Sequence, residues 1–565
     1  MKRDLAGMSR EEYDLLVIGG GIYGACVAWD AALRGLSVAL VEKGDFGGAT
    51  SANSLKIIHG GLRYLRNGSL RLMRTMVRER SIWMRIAPHL AHPLPFLMPT
   101  NRHLASGRLA LSVALTINDI VSYDRNTNDD PQKRLPNGRT ISKQASLRAL
   151  PGLRPDDVTG GAIWYDAQIF NSERLLISIV ESAVNSGASA ANYAEAITFL
   201  LAGAEVKGVR ARDVMDGQEF EIQAKVTVNC AGAWADTVLG FLGNRSPEPT
   251  SHLSVALNLV TRQIRPDVAM GVYGHRPVAG GFDGESQQSQ VLFIVPWRQY
   301  SLIGTTHAHF TGPPQSFEVT EATVQDLIDR VNAAYPGAAL MRDDVYHVHQ
   351  GYLPAVEIGA ADDEVKLLRE GRVHDHAQKD GIDGLITVVG VKYTTARHVA
   401  QEVVDRAAAK LAQKTRPCRT HLTPIIGGQV ERFDEFLSDV IAQYSELLGP
   451  EVSEHLAYTY GSNYHQVLNY LDDDPSLGQT ICEVFPVIKA EVIHAIRQEM
   501  ALTLADVVLR RTELGAAGLP EEECIAVCAD LMTAELGWNH DRRQKEIEGV
   551  YTAYGRLKMA AGAIE

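Results

Sequence analysis

Three glycines in G-x-G-x-x-G register, Gly19, Gly21 and Gly24, followed by Glu42, form a set that can hold a dinucleotide. Gly19 permits a tight turn, Gly21 lets backbone reach a pyrophosphate, and Gly24 lets a helix pack closely on a strand. Ile22 and Tyr23 open that helix, where unpaired N–H groups and the positive dipole end favour an anion. Glu42 lies about twenty residues further on, where a carboxylate can accept from both ribose hydroxyls, with Lys43 beside it. Downstream, ATSANSLKIIHGGLRYL (49–65) offers the hydroxyls of Thr50, Ser51 and Ser54, the cation of Lys56, and a turn at His59-Gly60-Gly61. Such a run brings backbone amides to phosphate or ring atoms without steric cost. Near the far end, VVGVKYTTARHVA (388–400) puts Lys392, Tyr393, Thr394 and Thr395 just after Gly390, offering amides, hydroxyls and one cation to an anion.

These residues need elements to hold them. YDLLVI (13–18) is a short apolar run, read as a buried parallel strand. ACVAWDAALRG then reads as a helix capped at Gly35, and LSVALVE as a second strand ending on Glu42. This βαβ unit does not by itself separate FAD from NAD. Residues 388–400 read as a buried strand that reaches Gly390 and turns into a helix, and 285–306 and 384–391 also read as strands. Residues 424–560 carry helix-period apolar patterns, and the proline-containing 415–428 reads as the linker before them.

A chain of 565 residues is too long for one core, so two to four domains or subdomains are expected. A net charge of −13 argues against nucleic acid as a partner, since the summed field repels phosphate backbones. The six cysteines form no CxxC pair, so reduced, cytoplasmic-type usage with no metal is expected. The start, MKRDLAGMSREEYD, lacks the apolar region of a secretory signal, and no apolar run is long enough to span a bilayer.

The chain resembles FAD-dependent, quinone-linked glycerol-3-phosphate dehydrogenases of the D-amino-acid-oxidase-like flavoprotein superfamily. The resemblance runs through residues 13–540 on the segment 49–65, GAIWYDAQIFNSERLL (161–176), VNCAGAWAD (228–236), VPWRQYSLIGTT (295–306), VVGVKYTTARHVA (388–400), AYTYGS (457–462) and EMALTLADVVLRRT (499–512). It implies an α/β fold: a Rossmann-type FAD-binding domain, a β-sheet cap over the flavin and a C-terminal helical domain. The expected division is 1–423 for the oxidoreductase region and 424–565 for the helical domain. Within the first, FAD pieces fall at about 13–90, 160–250 and 380–412, and cap pieces at about 91–159 and 251–379. FAD is the implied cofactor, with Ala196, Ala231 and Gly232 added to the contacts above. The neighbourhood of His59 leaves a covalent histidyl–flavin bond open.

The resemblance also implies oxidation of a phosphorylated secondary alcohol, sn-glycerol 3-phosphate, with hydride passing to flavin N5 and electrons to quinone. This needs cations for the phosphate, a base for the hydroxyl proton and a cation near flavin N1. Arg63 and Tyr64 in GGLRYL, Arg369 in KLLREGR, and Lys392 match substrate-binding positions. Two family features are absent: Leu353 stands where a G-x-R-P-L arginine is expected, and Asn258 lies in the segment that replaces K-G-S-H. The GTTD context becomes Gly304-Thr305-Thr306-His307. His307 and His349 are therefore candidate bases with Lys392 as catalytic cation, and His309 and His347 lie on the same cap segments. The alternatives are a different hydroxy or amino substrate, with oxygen as acceptor, or a flavin-binding protein without catalysis.

Arg63, Arg66, Arg71, Arg74, Arg78, Arg80 and Arg85 fall in one expected helix, read either as a solvated face or as an attachment to anionic lipid. The apolar 94–98 and 109–117 are core or an insertion surface. The resemblance favours a cytoplasmic enzyme peripheral on the inner face of the cell membrane. A homodimer is left open.

Overall fold

The computed structural model describes residues 1–101, 107–128, 130–275, 289–310, 312–358 and 365–558. The expected first strand forms at Glu12–Ile18, with parallel neighbours Val38–Val41 and Glu219–Asn229. Ser189–Ala191 and Leu385–Val389 extend the parallel sheet on either side, and Arg372–Asp375 closes one edge antiparallel. Period-two alternation gives the first strand two buried faces. Leu15 and Val17 pack under the helices Ile22–Leu33, Ser172–Asn185 and Ala396–Lys410, while Leu16 and Ile18 pack against Phe199, Val209 and Ile222 of an antiparallel layer.

A second sheet has ten strands. Its centre is His252–Arg262, paired antiparallel with Tyr300–Phe310 on one side and Val345–Ile358 on the other. Asn258 faces Gly304 and His349, and Ala256 faces His307 and Gly351. The helix Glu321–Ala334 covers the outer face with Val324, Leu327, Ile328 and Val331.

Pairing assigns three segments differently from the expected pieces. Gly160–Ile169, expected with the FAD part, pairs along its length with Ala91–Thr100 of the second sheet. Ile57–Ile58 joins that sheet too, and Arg372–Asp375, expected in the cap, joins the first. Strand periodicity shows which face is buried and not which sheet receives the strand.

Helices from Phe433–Leu448 to His540–Lys558 follow 415–428, with apolar clusters of their own. They grip the first sheet through buried charge: Asp45, three residues past Glu42, accepts from Arg511 at 2.7 and 2.8 Å and also binds Arg510. Arg174 pairs with Glu499 in the same interior. Burial is the largest single effect and would raise the Asp45 carboxyl, but Arg511 and Arg510 together outweigh it and hold the carboxyl far below its usual range.

The expected continuous 63–85 helix is broken. A 3-10 turn at Leu62–Asn67 ends on Gly68 (φ 66°), and the helix proper is Leu70–Ile86. Arg80 is buried in an ion pair with Asp166, and Arg74 binds Asp124. The segment is therefore not a uniform basic stripe, and Arg71, Arg78 and Arg85 are its exposed cations on that helix. Leu94, Phe96 and Leu97 are core. Among the described residues no helix is long and apolar enough to cross a membrane.

Candidate active site

The glycine turn sits where Glu12–Ile18 ends. Gly19 has φ +106°, and a Cβ there would strike the Cys230 carbonyl; a Cβ on Gly24 would land on the Gly19 carbonyl oxygen. Gly21 caps the helix in an extended conformation, and Ser51 Oγ lies 3.0 Å from the amide of Ile22 at its first turn. Glu42 is half-buried and accepts from the amides of Gly20 at 2.7 Å and Gly44 at 2.9 Å. Burial raises its carboxyl above the usual range despite those two bonds. Lys43 Nζ lies 3.9 Å over the Trp234 ring, next to Ala231 and Gly232. Ala231 borders Gly19, and Ala196 lies two residues past Ala194, whose amide bonds to Glu42 O at 2.8 Å. A close-packed cradle that side chains would fill, with a half-buried acid beyond it, fits the ADP half of FAD.

The 49–65 segment joins the two sheets. Thr50 Oγ1 accepts from the Tyr352 amide at 2.9 Å, and Ser54 Oγ accepts from the Lys56 amide at 3.1 Å. Lys56 is among the cofactor candidates, but its ammonium is buried against Glu173 at 2.8 Å and Ser172 at 2.7 Å. It is neutralised there, a pairing that local sequence gave no means of seeing. Gly60 donates to Asp166 Oδ1 at 2.6 Å, the same oxygen that binds Arg80, and Gly61 has φ +81°. The His59 amide donates to Thr394 Oγ1 at 3.3 Å, so this turn touches the loop that carries Lys392.

Tyr23 holds that loop. Its hydroxyl accepts from the amides of Val391 and Lys392, both at 2.9 Å, and donates to Lys392 O at 2.8 Å. Gly390 packs so closely on the Tyr23 ring that a Cβ there would collide with it. Tyr393 points away, donating to Ser172 O at 3.1 Å.

A cationic cluster stands at the meeting of these parts. Arg63 Nη2 donates to the Tyr64 hydroxyl at 2.6 Å, and Lys392 Nζ lies 4.9 Å over the Tyr64 ring. Lys392 Nζ is buried with no hydrogen bond among the described residues. Burial, then the charge of Arg63, lowers its pKa to about 7 against the opposing pull of Glu370. His307, on the cap strand, is lowered to about 4 by burial and then by Arg63, and its Nδ1 is also buried without a hydrogen bond. His59 is held well below its usual range by burial, then by Arg63, Lys392 and Arg80. The group is two cations, two neutral imidazoles and a phenol: it can bind an anion and take a proton. Next to it, Thr305 Oγ1 donates to Asn258 Oδ1 at 2.7 Å.

The remaining candidates lie apart from that group. His349 packs edge-on to Trp297, with ring centres 6.4 Å apart, and to His347 at 5.4 Å, and His347 packs on Tyr554. Burial, then Lys56 and His347, keep His349 neutral. Arg369 is exposed and adjoins Glu370, whose charge acts on Lys392. The side chain of His309 lies outside the described residues. A Cβ on Gly351 would meet Thr50, so by alternation Leu353 lies on the same face of its strand, the one turned to the 49–65 segment.

A family model for FAD dependent oxidoreductases matches residues 14–406, and one for the C-terminal domain of alpha-glycerophosphate oxidase matches 418–543. The chain is 30% identical to a glycerol-3-phosphate dehydrogenase of Synechocystis sp., covering 97% of both chains. It is 31% identical to the mitochondrial glycerol-3-phosphate dehydrogenase of Mesocricetus auratus, over 95% of this chain and 72% of that one. The crystal structure of glycerol-3-phosphate dehydrogenase from Bacillus halodurans complexed with FAD superposes with a TM-score of 0.74 at 25% identity, covering 99% of this chain and 98% of that one.

Proposed function

Because the chain belongs to the FAD-dependent oxidoreductases that carry the alpha-glycerophosphate oxidase C-terminal domain, we propose that it oxidises sn-glycerol 3-phosphate to dihydroxyacetone phosphate and passes the electrons to quinone. The observation that carries this reading is Lys392 Nζ, buried beside Arg63 without a hydrogen-bond partner among the described residues. A desolvated, unneutralised cation next to a guanidinium favours a doubly charged phosphate over any neutral ligand.

FAD, when bound, supplies the hydride acceptor. The chain's own residues do the rest. Arg63 and Lys392 hold the phosphate, Tyr64 fixes the Arg63 fork, and the exposed Arg369 draws the anion in. His307, neutral at working pH, takes the hydroxyl proton in the role that Asn258 cannot fill. Lys392 also stabilises negative charge as it develops, because a fixed cation in a buried site needs no reorganisation. The cradle from Gly19 to Gly24 with Glu42 holds the dinucleotide half, and Tyr23 fixes the loop between the two halves. Anaerobic mixing of the FAD-loaded protein with glycerol 3-phosphate tests the proposal, since oxidation must bleach the oxidised flavin band.

Leu353 favours a second reading. An apolar side chain on the face turned to the 49–65 segment, where the family pattern has arginine, suits a smaller or less charged hydroxy or amino compound. Bleaching by such a compound, with none by glycerol 3-phosphate, distinguishes the two.

Quinone is lipid-soluble, and the chain carries a surface for reaching it. On helix Arg108–Val121, Leu109 is 81%, Val113 53% and Ile120 67% exposed, at spacings that share one face with Ile117, and Tyr123 follows at 80%. Arg74 Nη1 donates to Val121 O at 2.9 Å, which docks this helix on the one carrying Arg71 and Arg78. An exposed apolar stripe on a helix docked against one with exposed arginines suits shallow insertion into an anionic leaflet, which supports the reading of a peripheral membrane protein.

A further inference from the structure

We propose that His374, His376 and Asp380 form a binding site for one divalent transition-metal ion at the edge of the nucleotide-domain sheet, away from the flavin pocket. Among the described residues this is the one group of three or more His, Cys, Asp and Glu side chains whose ligand atoms, one from each, converge, all within 4.8 Å of one another.

Two periodicities build the site from RVHDHAQKD. His374 lies in the edge strand Arg372–Asp375 opposite Thr387, and His376 follows two residues later, on the same side. His376 then opens the short helix His376–Lys379, which brings Asp380 back one turn later. His374 Nε2 is 2.9 Å and His376 Nδ1 2.6 Å from the same oxygen, Asp380 Oδ2. The ring centres are 4.4 Å apart and tilted 59°, and both nitrogens converge on the same Asp380 oxygen.

On the far side of its ring, His376 Nε2 lies 2.8 Å from Thr387 Oγ1, in the buried interior. Without an ion the contact of Nδ1 with Asp380 Oδ2 puts the ring proton on Nδ1. The Thr387 hydroxyl can equally accept from Nε2–H, so binding an ion moves the proton to Nε2 and frees the Nδ1 lone pair, with Thr387 as the outer partner. Ligand atoms around a tetrahedral ion with bonds of about 2.0–2.2 Å stand about 3.3 Å apart. The His374 and His376 nitrogens, now 2.9 and 2.6 Å from Asp380 Oδ2, therefore need to move out from it by roughly 0.4 and 0.7 Å, within the reach of small side-chain rotations at a partly exposed site. Two imidazoles and one carboxylate suit Zn²⁺, Ni²⁺, Co²⁺ or Cu²⁺, and are too few oxygens for Ca²⁺ or Mg²⁺. His374 and Asp380 are partly exposed, which gives the ion a path and leaves its last position to water. Such an ion would pin the edge strand and its turn to Leu385–Val389, the strand that leads to Gly390.

The test uses the full-length, FAD-loaded protein, treated with EDTA and desalted, then titrated with Co²⁺ by absorption and with Zn²⁺ by calorimetry. The expected result is one saturable equivalent, a visible Co²⁺ ligand-field band that Zn²⁺ abolishes, and a melting temperature raised by Zn²⁺. The Thr387→Val change should weaken binding by about 10- to 100-fold, and H374A and D380N at least as much. The change His398→Ala, at the separate His398–Glu402 pair, should leave the titration unaltered. Absence of saturable binding, or binding that survives both H374A and D380N, would show the cluster to be a hydrogen-bonded turn only and overturn the proposal.

Discussion

The phenol of Tyr23 and the backbone of Lys392, 369 residues apart in the chain, are joined by hydrogen bonds in both directions. A side chain of the helix that follows the glycine turn thus fixes the loop that carries the buried cation Lys392. Phenylalanine at position 23 would leave the Val391 and Lys392 amides without the Tyr23 acceptor, at a cost of about 1–3 kcal/mol per buried group. Tyr23→Phe is therefore expected to lower the melting temperature and raise the KM for substrate, with kcat less affected. Unchanged melting and unchanged KM would contradict the bracing role.

Lys392 titrates near neutral pH because it is buried beside Arg63. With a folded pKa of about 7, the ammonium is present below that pH and is lost as pH rises through it, so affinity for an anionic substrate should fall above neutrality. Removing it should cost about 1.5–3 kcal/mol of charged hydrogen bonding, or roughly 10- to 150-fold in kcat/KM. Steady-state kinetics of K392M across pH check both: the variant should be weak throughout and should lack the alkaline fall in affinity.

His307 is neutral until pH falls to about 4. As a base it is active above that value, so kcat/KM should decline on the acid side only near pH 4. H307N should lower kcat by about 10²- to 10⁴-fold, the usual contribution of a positioned base, while purified protein keeps its full flavin content. A small loss would transfer the role to another group.

A methyl on Gly24 would meet the Gly19 carbonyl, so helix and turn must separate to admit it. G24A is expected to purify with little or no FAD, read from the flavin band relative to protein absorbance. Wild-type flavin content in that variant would rule out the cradle as assigned.

The exposed stripe on Arg108–Val121 predicts co-sedimentation with vesicles that contain anionic phospholipid. Replacing Leu109, Val113 and Ile120 together by serine should abolish it and slow reduction of a membrane quinone, leaving turnover with a soluble acceptor dye intact. Equal loss with both acceptors would place the defect elsewhere.

The sequence made some of this readable and hid the rest for physical reasons. The turn from Gly19 to Gly24 and the acid at Glu42 are local: a strand, a turn and a helix within thirty residues set their geometry, and the structure shows that geometry. The break at Gly68 was marked by its Asn67-Gly68-Ser69 context, though the arginine spacing suggested one helix. The partners of Lys56 and Arg80, namely Glu173 and Asp166, are far off in sequence, and nothing in the local pattern marks a cation as internally paired. The strand Gly160–Ile169 reads as a strand either way, but its sheet is decided by Ala91–Thr100. Four cap histidines looked alike in sequence; His307 falls beside Arg63 and His349 beside Lys56 because their strands flank His252–Arg262 from opposite sides.

The most direct measurement is anaerobic titration of the FAD-loaded protein with sn-glycerol 3-phosphate, following the oxidised flavin band. The expected result is stoichiometric bleaching with dihydroxyacetone phosphate as product, greatly slowed in K392M and H307N. A flavin that stays oxidised with glycerol 3-phosphate, yet bleaches with an unphosphorylated hydroxy or amino compound, would contradict the assignment and give Leu353 the decisive part in substrate choice.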